Sequence, residues 1–335
     1  MKTLKINGMK QTLMGLVLAA AFMAPHRTLA AGPAPVDLGS CAHFAILAGA
    51  AITTTGGGII NGDVGASPIT GAAIGVTCAQ VNGTIYAVDA AGPACAVIAP
   101  ALLLTAKGDL TKAINDAAGR TPVPSGPNLN PGVAFSTGYD IGGMNLAPGL
   151  YKFGTGQTAF IETDVTLTDG PNDVWIFQCG ADLEVASGVH VILAGGAQAR
   201  NIFWQVSTAA TIGTFAVFKG TIMANQAVVM DTSSTMEGRA MSFTAGVTFN
   251  GDAGSLPTPA APIFTDITRT NNSATVVLST TPYFLLTLQA CPDLSLPNWK
   301  TITTDTPVTN TWTFTDNTAT ATVTQRFYRA FITTP

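Results

Sequence analysis

Apolar positions alternate with polar or small ones along most of this chain, and in its middle the alternation itself recurs. Between Val174 and Gly251 the segments NIFWQVSTAATIGTFAVFKG, TIMANQAVVMDTSSTMEGR and AMSFTAGVTFNGDAG each read as an alternating strand, a bend of small residues and a second alternating strand. The period is about 19 residues, which predicts a solenoid: one unit cannot bury its own apolar face, so each coil stacks on the next. Aligned on their second strands, Ala210-Thr211-Ile212, Val228-Val229-Met230 and Val247-Thr248-Phe249 run inward, outward, inward. Val165-Thr166-Leu167 and Val189-His190-Val191 take the same phase, and Ile52-Thr53 supplies a further rung. The expected outward column is Thr53, Thr166, His190, Thr211, Val229 and Thr248. Two residues before each stand Ala51, Asp164, Gly188, Ala209, Ala227 and Gly246. Such a face is flat and nearly uncharged.

A different period appears once. In PALLLTAKGDLTKAINDAAGR, residues Leu103, Ala106, Leu110, Ala113, Ile114 and Ala117 recur at three and four, the stripe of an amphipathic helix. Lys107, Asp109, Lys112, Asn115 and Asp116 are expected off that stripe. Pro100 can start the helix and Gly119 can end it. A lone helix in a solenoid is expected to pack along one side and cover it. Past the helix comes TPVPSGPNLNPG, then Pro148-Gly149 turns into another alternating strand. LPTPAAP, part of a linker expected over 255–262, separates the coils from a Thr-rich remainder at 263–335. There SATVVLS, FLLTLQACPDLS, NWKTIT, TWTFTD and QRFYRAF predict the short strands of a small β-sandwich.

The first 31 residues change the picture of where the chain works. Lys2, Lys5 and Lys10 precede the apolar run TLMGLVLAAAFMA, and Thr28-Leu29-Ala30 offers the small residues a signal peptidase reads. The run is short for a membrane span, so a secretory signal over 1–31 is expected, and with it an extracellular or cell-surface location. Its removal takes the basic count from 15 to 11 against 19 acidic residues, a net charge of −8, which argues against a nucleic-acid partner. Only 10% of residues are charged, well under the quarter or so of an ordinary globular chain.

An exported chain permits disulfides. Cys78 and Cys95 flank a Gly/Ala/Pro-rich loop with little else to order it, so this pair is expected to close, stabilising by roughly 3 kcal/mol in the chain-entropy model. Cys41 and Cys179 can pair or remain buried as small apolar groups, and Cys291 is unassigned.

Candidate chemistry is sparse. Gly56-Gly57-Gly58 lacks the Lys-Ser/Thr ending or following helix that a phosphate loop needs, and reads as a solenoid corner. His43 stands beside Cys41 without further ligands at zinc spacing. No Gly-x-Ser-x-Gly or His-Glu-x-x-His occurs. Glu162, Asp164, Asp182 and Glu184 are carboxylates within strands, and a glycosidase would need two of them facing each other. The sequence alone therefore names no catalytic residue, metal ligand, cofactor or small-molecule substrate.

LGSCAHFAILAGAAITTTGGGIINGDVGASP, the helix ALLLTAKGDLTKAINDAAG, LAPGLYKF, the run from Asn201 to Ser242 and the closing AGVTFNGD together resemble, in order, the microbial ice-binding β-solenoid family. That resemblance spans 37–254. It implies a mainly β fold, an irregular right-handed β-helix with one long helix packed alongside, whose flat face adsorbs to ice. In some members a disulfide holds the cap loop, and Cys78 and Cys95 stand there. Part of the family carries Thr-Ala/Gly-x-Thr/Asn on that face, and Thr208-Ala209-Ala210-Thr211 matches it. Ser187-Gly188-Val189-His190, Thr163-Asp164-Val165-Thr166, Gln226-Ala227-Val228-Val229 and Ala245-Gly246-Val247-Thr248 match it in part. The implied ice-contact residues are Thr53, Thr163, Thr166, Ser187, His190, Thr208, Ala209, Thr211, Ala227, Val229, Gly246 and Thr248. Strict alternation would set Thr208 opposite Thr211 unless the strand bends at Ala209. CPDLSLPNWKTI and RFYRA resemble immunoglobulin- or fibronectin-like modules, which makes the C-terminal part a candidate for contact with a cell surface or polysaccharide. An ice crystal is the leading partner; an adhesin or carbohydrate-binding solenoid comes second, and a β-helical polysaccharide enzyme third.

Overall fold

Parallel ladders join the coils. The computed structural model describes residues 32–121, 133–135, 138–270, 272–282, 284–294, 297–319 and 325–333; the expected secretory signal and most of the Pro/Gly/Asn stretch after the helix lie outside them. Three sheets form the coil walls, of twelve, eight and three strands, parallel throughout except where Val133–Phe135 at one end of the eight-stranded sheet runs antiparallel to Gly138–Asp140. Strands of the eight-stranded wall alternate as the sequence requires: Ala210 and Ile212 are buried on either side of half-exposed Thr211, and Val228-Val229-Met230 and Val247-Thr248-Phe249 repeat the pattern. The fold is the irregular right-handed β-helix expected, followed by a small β-sandwich.

Stacking extends into the core. Tyr151, Phe177, Trp204 and Phe218 succeed one another up the inside of the largest sheet with ring centroids 5.1, 3.8 and 5.4 Å apart. Phe153, Phe177, Trp204, Phe218 and Phe249 are all but inaccessible to solvent. Fully burying one large apolar side chain contributes about 1.5–3 kcal/mol, so the repeating column holds successive coils in register.

The coils do not stack in chain order. Strand Phe44–Ala48 pairs on one side with Asp63–Ala66 and on the other with Thr235–Ser242, so the first coil lies directly on the last major one. From there the chain builds outward to Val97–Ile98, and helix α1, Pro100–Gly119, carries it back along the outside. Twenty helical residues span about 30 Å. At roughly 4.8 Å per rung that is about six coils, enough to start the remaining ones at the far end. Gln178 on strand Trp175–Cys179 closes this arm: its Nε2 donates to the carbonyls of Ala117, Ala118 and Arg120 at 2.7, 3.1 and 3.1 Å, satisfying orphan acceptors of the last helical turn.

The helical stripe packs as predicted on the outer face of the twelve-stranded sheet, among Phe44, Leu47, Leu150, Ile176, Phe203, Met223 and Met241. Lys107 departs from expectation. It is 8% exposed, and its Nζ donates to the carbonyls of Ser242 and Phe243 at 2.7 and 2.6 Å. The alkyl stem lies in the apolar seam while the charge meets two carbonyls where the sheet turns, a pairing between distant segments that helical periodicity does not encode.

Around the first coils, Cys78 and Cys95 form the expected disulfide, 17 residues apart in sequence, while Cys41, Cys179 and Cys291 are free and buried. His43 is packed, its Nδ1 2.6 Å from Asp63 Oδ2 and its ring 4.3 Å from that of Phe44. Leu256 is buried against Gly62, and its N–H donates to the Asn61 carbonyl at 3.0 Å. Beyond it two three-stranded antiparallel sheets, Ile263–Arg269 with Ala274–Ser279 and Thr311–Asp316, and Lys300–Asp305 with Leu285–Cys291 and Phe327–Thr333, enclose Val276, Leu278, Leu286, Leu288 and Trp312. Phe284, 2% exposed, is continuous with the solenoid core.

Candidate functional site

From Ile52–Thr53 to Gly138–Asp140 the rungs of the eight-stranded wall are short parallel strands in one register, which keeps their outward residues in file. Thr53 pairs with Thr248, Val229 with Thr248, Thr211 with Val229, Glu184 with Thr211 and Phe160 with Glu184. The outward column, read along the stack, is therefore Thr53, Thr248, Val229, Thr211, Glu184, Phe160 and Asp140. Two residues earlier in the chain, at the entry to each strand, a parallel column holds Ala51, Gly246, Ala227, Ala209, Asp182 and Thr158. Rungs repeat at about 4.8 Å and next-but-one residues at about 7 Å, so the wall is a grid of methyl, hydroxyl and backbone groups.

That grid has two halves. From Thr53 to Thr211 no side chain in either column is charged, and the positions two residues further on are Thr55, Asn250, Asp231 and Gly213, of which only Asp231 carries a charge. From Asp182 and Glu184 onward the wall carries carboxylates and the ring of Phe160. Within the uncharged half the Thr53 and Thr248 hydroxyls lie 3.1 Å apart, and Asn250 Oδ1 accepts from the backbone N–H and hydroxyl of Thr55 at 2.8 and 2.9 Å. At the boundary Asp182 Oδ1 accepts from the Thr208 hydroxyl and from the Ala209 N–H. Ser207 and Thr208 form a bend and the strand begins only at Ala210, so alternation is broken where the sequence required it. Thr208 lies at the margin of the wall, tied to Asp182.

Thr53, Ala209, Thr211, Ala227, Val229, Gly246 and Thr248 are thus brought together, with Thr208 at their margin. Thr166 and His190 are not in the column, contrary to expectation. Thr166 pairs with Asn145 and Ile192 in the three-stranded sheet, and His190 bridges to Val217. Asp164 Oδ1 accepts from the His190 N–H at 2.8 Å and lies 3.2 Å from its Nδ1. Thr163 and Ser187 are exposed in the segments leading into that sheet. The physical reason is coil length. Late coils place stacked partners 18 or 19 residues apart, as Lys219 with Glu237 and Asn225 with Thr244, whereas Thr208 meets Asp182 across 26. A longer coil holds one more strand, and a fixed period lands on the wrong one. Leu183-Glu184-Val185 and Ala159-Phe160-Ile161 carry the same apolar-outward-apolar signal and take the rungs.

The carboxylates considered for hydrolysis stand exposed on the coils or accept from backbone N–H groups. Glu184 is exposed on the wall, Asp182 caps Ala209, Asp164 caps His190, and the Glu162 N–H donates to Asp140. Sequence reasoning missed Asp182, Glu184 and Phe160 as members of the wall.

A solenoid with one stacked wall whose outward columns are uncharged over four rungs is the class of protein this geometry defines. A model of the Ice-binding-like family matches residues 46–253, and the chain belongs to that family. It is 47% identical over 210 residues to an ice-binding protein of Flavobacterium frigoris (strain PS1), covering 63% of this chain and 72% of that one. It is 40% identical over 246 residues to an ice-binding protein of a Colwellia species, covering 73% and 92%. Among solved structures, a glycosylated ice-binding protein from an Arctic yeast superposes with a TM-score of 0.59 at 31% identity, over 69% of this chain and 98% of that one.

Proposed function

We propose that this chain binds ice, adsorbing through the uncharged half of the eight-stranded wall and so inhibiting ice growth or recrystallisation. The observation that carries this reading is the four-rung grid itself. Ala51 and Thr53, Gly246 and Thr248, Ala227 and Val229, and Ala209 and Thr211 stand at fixed spacings without a charge among them. Methyl groups there limit competing hydration and hydroxyls anchor an ordered water layer, whereas a carboxylate would hold water on its own terms. The relatives' names support ice as the partner. On this reading the solenoid, 37–254, carries the activity, 255–262 links it to the module at 263–335, the N-terminal segment directs export, and no reaction is catalysed. Thermal hysteresis and ice-recrystallisation assays on the purified chain test it: inhibited growth is expected, and unaltered crystal growth at high protein concentration would reject it.

A further inference from the structure

Solenoid and C-terminal sandwich meet around a crevice of about 360 Å³, a size ordinary for small-molecule sites. Its solenoid side contains Arg239, 5% exposed, on the outer face of strand Thr235–Ser242. Arg239 Nε donates to the Ala42 carbonyl at 2.7 Å and Nη1 to the Thr221 hydroxyl at 3.1 Å; no carboxylate among the described residues pairs with it. A buried guanidinium without an anion is costly, and burial pushes the Arg239 pKa down to about 10. Arg200, also on the lining, bonds the carbonyls of Thr258 and Pro171; the charge of Glu237 acts on it, but no carboxylate among the described residues lies within ion-pair distance.

The module's side adds an independent sign. Thr280 is 8% exposed and lines the same crevice, yet its hydroxyl is buried without a hydrogen-bond partner. Asn310 stands beside it. The rest is largely apolar, with Phe203 from the solenoid, Phe284 from the module and prolines of the connecting segment. Asp37 is the one acidic residue of the lining and is already engaged by the Gly39 N–H at 2.9 Å, so two cations face one anion.

We propose that this crevice binds a small organic carboxylate, its charged end toward Arg239 and Arg200 and its apolar body against Phe203 and Phe284. Guanidinium and carboxylate match in planar geometry, and the unpartnered Thr280 hydroxyl supplies a third polar contact. Such a ligand touches both units and would fasten the sandwich to the solenoid, away from the wall proposed to meet ice.

Calorimetric titration of the full chain with benzoate tests the site, with benzyl alcohol as its neutral counterpart and sulfate as an inorganic anion. Benzoate is expected to bind one to one, and benzyl alcohol to be weaker by about tenfold to a hundredfold, the value of a charge-assisted hydrogen bond. Arg200→Gln should weaken benzoate to a similar degree. Thr280→Val guards against mere misfolding: it should raise the melting point of the free protein by removing an unsatisfied hydroxyl, and lower the additional rise that benzoate gives. Absence of benzoate binding at millimolar concentration, equal binding of benzyl alcohol, sulfate binding as tight as benzoate, or binding unchanged in both variants would each overturn the proposal.

Discussion

The hydroxyls of Thr53 and Thr248 lie 3.1 Å apart although 195 residues separate them in the chain. They belong to the first and last strands of the wall in chain order, which become neighbours because the helix carries the chain to the far end and the later coils build back. Each hydroxyl therefore has a fixed neighbour before any ligand arrives, and the grid requires little ordering on contact.

A charge placed on this grid should matter by location. Thr211→Arg is expected to abolish or sharply reduce thermal hysteresis, because a hydrated guanidinium holds the wall off a flat crystal. Folding should change by about 0.5 kcal/mol or less, since an outward position has few packed contacts to lose. Glu184→Lys, one rung away on the charged half, should leave ice activity near that of the parent. Ile212→Ala is the inward control: Ile212 is inaccessible to solvent, and truncation should cost about 2–5 kcal/mol. Full activity in a folded Thr211→Arg protein would show that another wall meets ice.

Phe215 offers a test of the corner geometry. Gly188, Phe215 and Ser233 stack at one corner with φ of 74°, 61° and 60°, a region that suits the glycine and strains the other two. Phe215 is 66% exposed and gives little burial in return. Phe215→Gly should therefore stabilise by about 0.5–1 kcal/mol, the left-handed cost relieved less the entropy a glycine adds. Equilibrium denaturation measures this, and a loss of stability would mean that the ring packs usefully.

Sequence made the repeat legible because burial writes alternation into each strand. It showed the inward and outward members of Ala210–Ile212, Val228–Met230 and Val247–Phe249. It also showed the helix to its ends, Pro100 and Gly119. What it could not show was which outward residue stacks on which, since that depends on coil length. Thr166 and His190 satisfy the alternation as well as Glu184 and Phe160 do, and only the ladder distinguishes them. Buried Lys107 and Arg239 were illegible for a related reason: their acceptors are backbone carbonyls and a hydroxyl distant in the chain, which leave no pattern near the cation.

Lys107 predicts a pH dependence of stability. Burial lowers its pKa from 10.5 to about 8, opposed by the charge of Cys41 when ionised and by the two carbonyls that hold the ammonium. Below pH 8 both folded and unfolded chains carry the proton, and the burial penalty is present in full. Between about 8 and 10.5 the unfolded chain binds more protons, so stability rises with pH. Cys41, pushed up to about 12 from 9.0 by burial, acts in the opposite sense above pH 9, so the interval from 8 to 9 isolates the lysine. Relative to Lys107→Met, the parent should gain stability across that interval, by about 1 kcal/mol in urea titrations. A constant difference between the two proteins would contradict the assigned direction.

Truncation separates the wall from the sandwich. Residues 263–335 contribute nothing to the column that ends at Thr53, so a chain stopped after Leu256 should retain most ice activity per molecule. The cut must keep Leu256, because its side chain closes over Gly62 and its N–H occupies the Asn61 carbonyl. Stability should nevertheless fall, since removal of Phe284 uncovers part of the solenoid core, and one lost aromatic contact of this burial is worth about 1.5–3 kcal/mol. Thermal melting and a hysteresis assay on the same preparation distinguish the two effects. A lower melting point with activity retained below it is the expected result. A truncated chain that melts like the parent but no longer slows ice growth would place the sandwich within the ice-contacting surface.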